Sequence, residues 1–274
     1  MLRLWRDRVR IALCPDRVIT LHYKAGLRPR IISKQIHKCV ESGLGWQSVL
    51  PTLQAALSKT DWRNADATLI ISNHFVRYLL LPWSDVSLTN EEKAALLQDR
   101  FQEVYGEVSA TWDLRLNAGS FGSPSLASGV DKNLLAQVKT IFDSSKLRLD
   151  SIQPYLMSSV NDIRRNFKKG SDWFVMVEEG MFCIALLYDG QWKRIRSRQI
   201  ERDWLEEILV ALEREILLDE TDGQIIKVWV YAPDSRLSKP IKRGTMVIEP
   251  LPPSPRAMLS PLDRHSYAMA VAGM

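Results

Sequence analysis

The stretch DWFVMVEEGMFCIALLYDGQWKRIRSRQI, residues 172–200, decides the fold. It predicts three strands, because runs of β-branched and aromatic residues alternate with two sites for tight turns. The first turn is Glu178-Glu179-Gly180 and the second is Asp189-Gly190. A long amphipathic helix is predicted over residues 203–218 and a further strand over 225–231. The order is therefore three strands, a helix and a strand.

The same order of elements opens the chain. Apolar alternation predicts two strands joined across the turn Cys14-Pro15-Asp16-Arg17, then a third strand, a helix and a buried strand. These five elements are predicted at residues 8–13, 18–23, 30–37, 47–57 and 68–71. A returning strand at 75–81 is expected to pair with the last of them across the turn Ser72-Asn73-His74. A repeated order of this kind predicts two similar lobes.

The region between the two repeats is less regular. A capping box at Thr89 and Glu92 predicts a helix that ends at Tyr105, and two short strands follow at 112–116 and 126–130 around a Gly/Ser loop. We expect a small inserted subdomain at about 88–126. Helix, strand and helix signals then follow at 132–144, 147–152 and 155–167.

These signals divide the chain into two lobes. The first lobe is predicted to span residues 1–170 and to contain the inserted subdomain. The second is predicted to span 171–274, with a Pro-rich segment at 250–261 and a closing helix at 267–273.

Composition favours a folded protein that stays in the cytoplasm. The chain has 274 residues, 46% of them hydrophobic and 25% charged, and carries a net charge of +5. No apolar run reaches the ~18 residues that a bilayer requires, and none follows the N-terminal arginines as a signal peptide would need. The three cysteines form no CxxC pair and the four histidines no HExxH motif. We expect no disulfide, no metal site and no catalytic motif.

Basic residues are concentrated in three places along the chain. Such groups could face nucleic acid or an anionic membrane surface, and the alternative is an ordinary solvated strand face. The three groups are Arg3, Arg6, Arg8 and Arg10; Arg164, Arg165, Lys168 and Lys169; and Lys193, Arg194, Arg196 and Arg198.

The pattern resembles a known family. The segments that carry the resemblance are RVRIALCPDRVITLHY (8–23), LIISNHFVRYLLLPW (69–83), LASGVDKNLLAQVKTIFDSSKLRLDSIQPYLMSSVNDI (126–163), FVMVEEGMFCIALLYDGQWKRIRSRQI (174–200) and YAMAVAGM (267–274). Together they resemble the PilM proteins of type IV pilus assembly, their MSHA-pilus counterparts and the cytoplasmic domain of type II secretion L proteins. The resemblance implies an α/β, actin-like (ribonuclease H-like) fold with two lobes of mixed sheets flanked by helices.

The resemblance also implies a place for nucleotide, and this sequence departs from what such a place requires. Nucleotide-binding relatives use the first hairpin of each lobe to hold phosphates, with backbone N–H groups that small residues leave accessible. Here Pro15 lacks an N–H, Asp16 and Arg17 follow without a glycine, and Glu178 and Glu179 precede Gly180. Two carboxylates would repel a polyphosphate. We therefore expect degenerate phosphate turns and no cofactor.

By resemblance, the protein is expected to be a non-enzymatic scaffold of a pilus-assembly or secretion platform. Its partner would be the short cytoplasmic tail of a single-span inner-membrane protein, which would hold the scaffold at the membrane from the cytoplasmic side; a homo-oligomer is also possible. The tail would lie in a groove between the core of the first lobe and the inserted subdomain. Phe101, Tyr105 and Trp112 are the predicted partner contacts, and the alternative is that they only hold the subdomain together.

Two other functions stay open from the sequence. The first is a weak or active ATP-binding protein of the actin-like class, with Asp16 holding the magnesium of a nucleotide. The second is a nucleic-acid binder that uses its basic surface, although no RNA-binding aromatic signature accompanies the basic residues.

Overall fold

The computed structural model describes residues 6–24, 26, 30–40, 45–58, 62, 65–163, 167, 170–218, 225–233, 237, 239–251, 259–260 and 262–274. The strands, in chain order, are β1 (Asp7–Leu13), β2 (Arg17–Lys24), β3 (Arg30–Lys38), β4 (Ala65–Ile71), β5 (Val76–Leu81), β6 (Trp112–Asn117), β7 (Ser125–Asp131), β8 (Arg148–Pro154), β9 (Ser171–Glu178), β10 (Met181–Tyr188), β11 (Gln191–Gln199), β12 (Ile226–Tyr231), β13 (Ile241–Arg243) and β14 (Met246–Pro250). The α-helices are α1 (Leu50–Ser58), α2 (Asn90–Tyr105), α3 (Lys132–Ser145), α4 (Tyr155–Ile163), α5 (Trp204–Leu217), α6 (Asp263–Ser266) and α7 (Ala268–Val271).

The first sheet has five strands in the order β3-β2-β1-β4-β8. β1 is antiparallel to β2 and parallel to β4, and β8 is parallel to β4. Most of β1 and β4 and the first half of β2 are buried, which agrees with the apolar residues at these positions. Helices α1 and α3 pack together beside this sheet, with Leu53 and Val138 fully buried.

The strand predicted to return at 75–81 does not pair with β4. It forms β5, which leaves the first sheet and lies at the edge of a separate three-stranded sheet in the order β5-β7-β6. The turn at Asn73–Phe75 is a 3-10 helix that redirects the chain instead of closing a hairpin. β4 is paired on both sides, by β1 and by β8, so it has no free edge for β5.

The segment 88–126, predicted as an inserted subdomain, lies within a longer group of elements, for which we use the name inserted subdomain. It consists of β5, α2, β6 and β7 and therefore extends from Val76 to Asp131. Helix α2 begins as predicted, because Thr89 accepts a hydrogen bond from the Glu92 backbone and the Glu92 carboxylate accepts one from the Thr89 backbone.

The second sheet has six strands in the order β11-β10-β9-β12-β14-β13. β9, β10 and β11 form the predicted antiparallel meander, and β12 is parallel to β9. Asp203 caps the N-terminus of helix α5. One face of the helix, including Ile208 and Leu212, is buried in the hydrophobic core that the helix forms with the sheet. The two repeated halves thus form separate sheets.

The end of the chain packs against the first sheet. Helix α7 contacts β1 and β2, and buried Arg10 donates hydrogen bonds to the carbonyl groups of Ala270 and Ala272. Of the predicted helix at 267–273, the structure forms the short helix α7, and another short helix, α6, precedes Tyr267 outside the predicted range. Most of the Pro-rich segment 250–261, residues 252–258 and 261, lies outside the described residues.

Candidate functional site

The turn between β1 and β2 lies opposite the turn between β9 and β10. Arg17 donates to the Asp16 carboxylate at 2.8 Å within its own turn. The same guanidinium nitrogen reaches the Glu179 carboxylate at 3.0 Å in the second lobe. The two turns expected to flank a phosphate are therefore connected directly by an ion pair.

The other glutamate of this turn is held by the first lobe. Ser72 donates its hydroxyl to Glu178 Oε2 at 2.5 Å, and Asn73 donates to Glu178 Oε1 from its backbone at 3.1 Å and from its side-chain amide at 2.5 Å. Both carboxylate oxygens therefore accept hydrogen bonds from the first lobe. Burial raises the pKa of the Glu178 carboxyl, while the hydrogen bonds from Ser72 and Asn73 and the nearby His74 oppose that shift.

Asn73 is the centre of this network. Its side chain is buried, and its Oδ1 accepts hydrogen bonds from the Tyr78 hydroxyl at 2.6 Å and from the Leu156 backbone at 3.2 Å. One amide therefore connects Glu178 of the second lobe with the start of β5 and the start of α4 in the first. We call Ser72, Asn73, Tyr78 and Glu178 the interlobe network.

His74 and Gly180 complete the contact between the lobes. The His74 Nε2 atom lies 2.8 Å from the backbone oxygen of Glu179. Gly180 has a φ of +78°, which favours glycine, and a side chain there would approach the His74 ring at 3.6 Å. A Cβ at that distance would make an ordinary van der Waals contact, so the glycine serves the conformation of the turn.

The cleft between these two turns encloses about 160 Å³. Its walls come from both turns, from Tyr155 and from the chain end at Ala268 and Met269. Pockets for drug-sized ligands commonly measure about 300–1,000 Å³. The cleft in this conformation is smaller than that range, and negatively charged side chains stand on both of its turns.

Other groups with potential chemistry are not arranged as catalytic sites. Among the described residues no three His, Cys, Asp or Glu side chains lie close enough to hold a metal ion. Cys14 and Cys183 are buried thiols, and burial raises the pKa of Cys183 to about 12. A thiol of that pKa is protonated at neutral pH and is a poor nucleophile.

A groove of about 690 Å³ separates the first sheet from the inserted subdomain. We call it the core–insert groove. Its floor includes Leu135 of α3 together with Leu149 and Ile152 of β8, all three only half-buried. Asp113 and Arg115 of β6 form part of the opposite wall. Half-exposed apolar side chains between charged walls are suited to binding a partner segment.

The three predicted partner contacts lie elsewhere in the subdomain. Phe101, Tyr105 and Trp112 pack against one another with ring centroids 5.3–6.1 Å apart, and Phe101 is fully buried. None of them lines the core–insert groove. Partner binding by these residues stays a prediction, and this packing favours the alternative that they hold the subdomain together.

The basic groups are only partly described. Arg3 and the group Arg164, Arg165, Lys168 and Lys169 lie outside the described residues. Arg6 and Arg8 pair with buried Asp66, and Arg10 is buried against the chain end. Of the groups that the sequence singled out, the one on β11 lies along a solvent-accessible groove. No helix in the described part of the chain is long and apolar enough to cross a membrane.

Comparison with solved structures decides the fold. A Bacteroides thetaiotaomicron protein described as having an actin-like ATPase fold and unknown function superimposes with a TM-score of 0.59 at 13% identity, over 85% of each chain. The chain has an actin-like fold. This result confirms the fold class that the sequence predicts.

Two other similar structures come from bacterial assembly systems. The cytoplasmic domain of EpsL, an inner membrane component of the type II secretion system of Vibrio cholerae, matches with a TM-score of 0.61 at 7% identity, over 97% of this chain and 94% of that one. A PilM–PilN type IV pilus biogenesis complex matches with a TM-score of 0.55 at 11% identity, over 81% of each chain. Both are structures that the sequence resemblance led us to expect. No protein-family model and no curated protein matches this actin-like chain.

The interlobe network includes residues that the sequence analysis did not single out. Ser72 and Asn73 were treated as part of an ordinary turn. The available signal was a polar Ser-Asn-His run between two apolar strands, and burial of such groups requires partners. Their partner is about one hundred residues away in sequence, so local patterns could not identify it.

Proposed function

We propose that this actin-like chain is a non-enzymatic scaffold of a pilus-assembly or secretion platform. In this role it binds the cytoplasmic tail of a single-span inner-membrane protein and is held at the membrane by that partner. The observation that carries the proposal is the core–insert groove, where half-buried apolar side chains lie beside charged residues.

The groove has the features of a site for a short peptide. Leu135, Leu149 and Ile152 can receive apolar anchors, which usually supply most of the binding energy of a peptide. Lys139 and Asp143 on α3 and Arg115 on β6 stand around these positions and can fix the direction of a polar backbone. β8 and β6 are terminal strands of their sheets, so each leaves backbone groups toward which an extended tail can align.

The cleft supports the non-enzymatic part of the proposal. Arg17, Glu178 and Glu179 make their contacts across the two turns, where a nucleotide-binding protein would place phosphate and magnesium. The similar structures from pilus biogenesis and type II secretion support the assignment to an assembly platform.

Photocrosslinking in the native cell tests the proposal. A photoreactive amino acid is placed at Leu135, and the crosslinked protein is identified by mass spectrometry. The same amino acid at Lys242, an exposed position of β13, is the matched control. We expect the Leu135 position alone to capture an inner-membrane protein with one membrane span, through a peptide of its cytoplasmic tail.

A second measurement gives the strength of the contact. The captured tail is synthesised and titrated against the protein carrying Leu135→Asp or Lys242→Asp. We expect the groove variant to bind about tenfold more weakly or worse and the control to bind normally. Capture of the same proteins from both positions, or a tail that binds both variants equally, would contradict the proposed function.

A further inference from the structure

A second groove lies between the inserted subdomain and the second sheet. It encloses about 670 Å³ and runs along β11 on one side and along β5 and the end of α2 on the other. Tyr105 lies on the α2 side. We call it the basic groove, because five of its lining residues are cationic: Arg77, Lys193, Arg194, Arg196 and Arg198.

Positive charge in the basic groove is only partly neutralised. No Asp or Glu is among the described residues that line it. Buried Glu215 lies 3.5 Å from Arg194 and 3.8 Å from Arg196, so two of the arginines share one carboxylate. Arg77 donates to the carbonyl groups of His74 and Val76. For Arg77 and Arg198 no carboxylate partner exists in the described part of the chain, so the groove keeps an excess of positive charge.

Two strands border the groove side by side. β11 is the terminal strand of the six-stranded sheet and β5 is the terminal strand of the three-stranded sheet. The two strands lie close together but pair with each other in neither sheet. Residues 193–199 of β11 line the groove, and an extended segment of that length spans about 23 Å. The groove is therefore long enough for an extended peptide of about seven residues.

We propose that the basic groove binds an acidic, extended peptide segment of a partner protein. The partner lies extended along β11 and places carboxylates against Lys193, Arg196 and Arg198. Apolar Val104, Met181 and Ile195 also line the groove, and exposed Val104 can contact an apolar side chain of the segment. This surface is separate from the core–insert groove, and the proposal holds independently of the proposed function.

A peptide fits the groove better than a nucleic acid does. Single-stranded nucleic acid gains affinity by stacking its bases on exposed aromatic faces. The aromatic residues lining the groove are Tyr78, which is buried, and Tyr105, which packs against Phe101 and Trp112. Neither ring offers a free face for a base.

Fluorescence anisotropy tests the proposal with defined probes. The probe is a labelled peptide of about ten residues that alternates glutamate and valine, and a lysine–valine peptide of equal length is the control. The protein carries Lys193→Glu with Arg198→Glu. The matched control carries Arg202→Glu with Lys242→Glu, which makes the same change in net charge at exposed positions outside the groove.

We expect the acidic peptide to bind the wild-type protein more tightly at about 0.05 M than at about 0.3 M salt, because salt screens the contacts. The groove variant should bind it about tenfold more weakly and the control variant within about twofold of wild type. Lys193→Gln with Arg198→Gln gives a milder test if charge reversal lowers the melting temperature.

Three results would overturn the proposal: no binding of the acidic peptide at low salt, equal losses in the groove and control variants, or equal binding of the lysine–valine peptide. Tighter binding of an oligothymidine of about ten nucleotides, lost in the groove variant, would assign the groove to nucleic acid instead. Self-association of the protein that the groove variant abolishes would support an acidic segment of a second copy as the occupant.

Discussion

At the scale of single residues, Glu178 gives the hairpin of β9 and β10 a structural role, because it is bound by residues of the first lobe. Two glutamates in a turn predict repulsion of phosphate, but they do not reveal that one of them has a structural role. Ser72 and Asn73 direct three donors at its carboxylate. Charge-assisted hydrogen bonds of this kind are worth more than neutral ones. Burial nevertheless makes the charged form costly and raises the pKa of Glu178.

Replacing Glu178 by Gln should therefore change the pH dependence of stability. A carboxyl whose pKa is raised by folding contributes most below its ordinary value of 4.5, and the contribution is lost as the pH rises through the folded-state pKa. Glutamine does not titrate, and its amide can donate to Ser72 Oγ while its oxygen accepts from Asn73. The free energy of unfolding of the variant, measured with urea, should increase relative to that of the wild type as the pH rises above 4.5.

The same substitution one residue later is the control. Glu179→Gln removes an equal charge from a side chain that is 75% exposed. Parallel stability curves for Glu178→Gln and wild type would show that the Glu178 carboxyl is not buried as the structure has it.

Asn73 is the residue whose loss should cost most in the interlobe network. Asn73→Ala leaves the buried Tyr78 hydroxyl and the Leu156 N–H without their acceptor and removes one of the three donors to the Glu178 carboxylate. Unsatisfied buried groups cost about 1–3 kcal/mol each, so we expect the free energy of unfolding to fall by about 3 kcal/mol or more. Asn117→Ala, at an exposed end of β6, should change it by less than about 0.5 kcal/mol. A loss at Asn73 as small as that at Asn117 would contradict the network.

At the scale of elements, the sequence predicted most strands and helices, because their signals are local. The meander β9–β11 and the capped helix α2 follow from alternation, turn glycines and a capping box. Local signals could not predict which strand β5 pairs with. Its apolar run looks the same whether it pairs with β4 or with β7, and the choice depends on β8, which occupies the free edge of β4 and lies about eighty residues away in sequence.

The candidate site, too, could be predicted only in part from the sequence. The family resemblance implied a groove between the core and the inserted subdomain, and the aromatic residues of α2 and β6 were the predicted contacts. In α3, Leu134 is fully buried, whereas its neighbour Leu135 is half-buried and lines the core–insert groove. A shift of one position around a helix decides between core and surface, and such a shift is set by tertiary packing.

Trp112→Ala separates the two roles of the subdomain aromatics. Trp112 packs against Phe101 and Tyr105, so its loss should lower the free energy of unfolding by about 2 kcal/mol or more, as for partly buried aromatic residues. Amide hydrogen exchange should show faster exchange in β6 and β7 than in β9 and β10. Unchanged stability together with weaker capture of the partner's tail would instead make Trp112 a partner contact.

At the scale of the whole molecule, several features of the described residues connect the lobes. The interlobe network joins the turn after β4 to the hairpin of β9 and β10, the Arg17–Glu179 pair joins the two opening turns, and the chain end packs on β1 and β2. Lobe motion in such a fold would have to break the part-buried hydrogen bonds to Glu178 as well as an ion pair. Binding of a nucleotide in this cleft would require these groups to separate. The contacts therefore agree better with the proposed scaffold than with a nucleotide-binding protein.

The central claim is that the cleft joins the lobes and does not hold a nucleotide. Isothermal titration calorimetry of the full chain with magnesium-ATP, at a nucleotide concentration of about 1 mM, tests it most directly. Arg17→Ala, which removes the ion pair to Glu179, is titrated in parallel to show whether opening that contact restores binding. We expect no heat beyond that of dilution for the wild-type protein, whereas a dissociation constant of about 1 μM would contradict the claim.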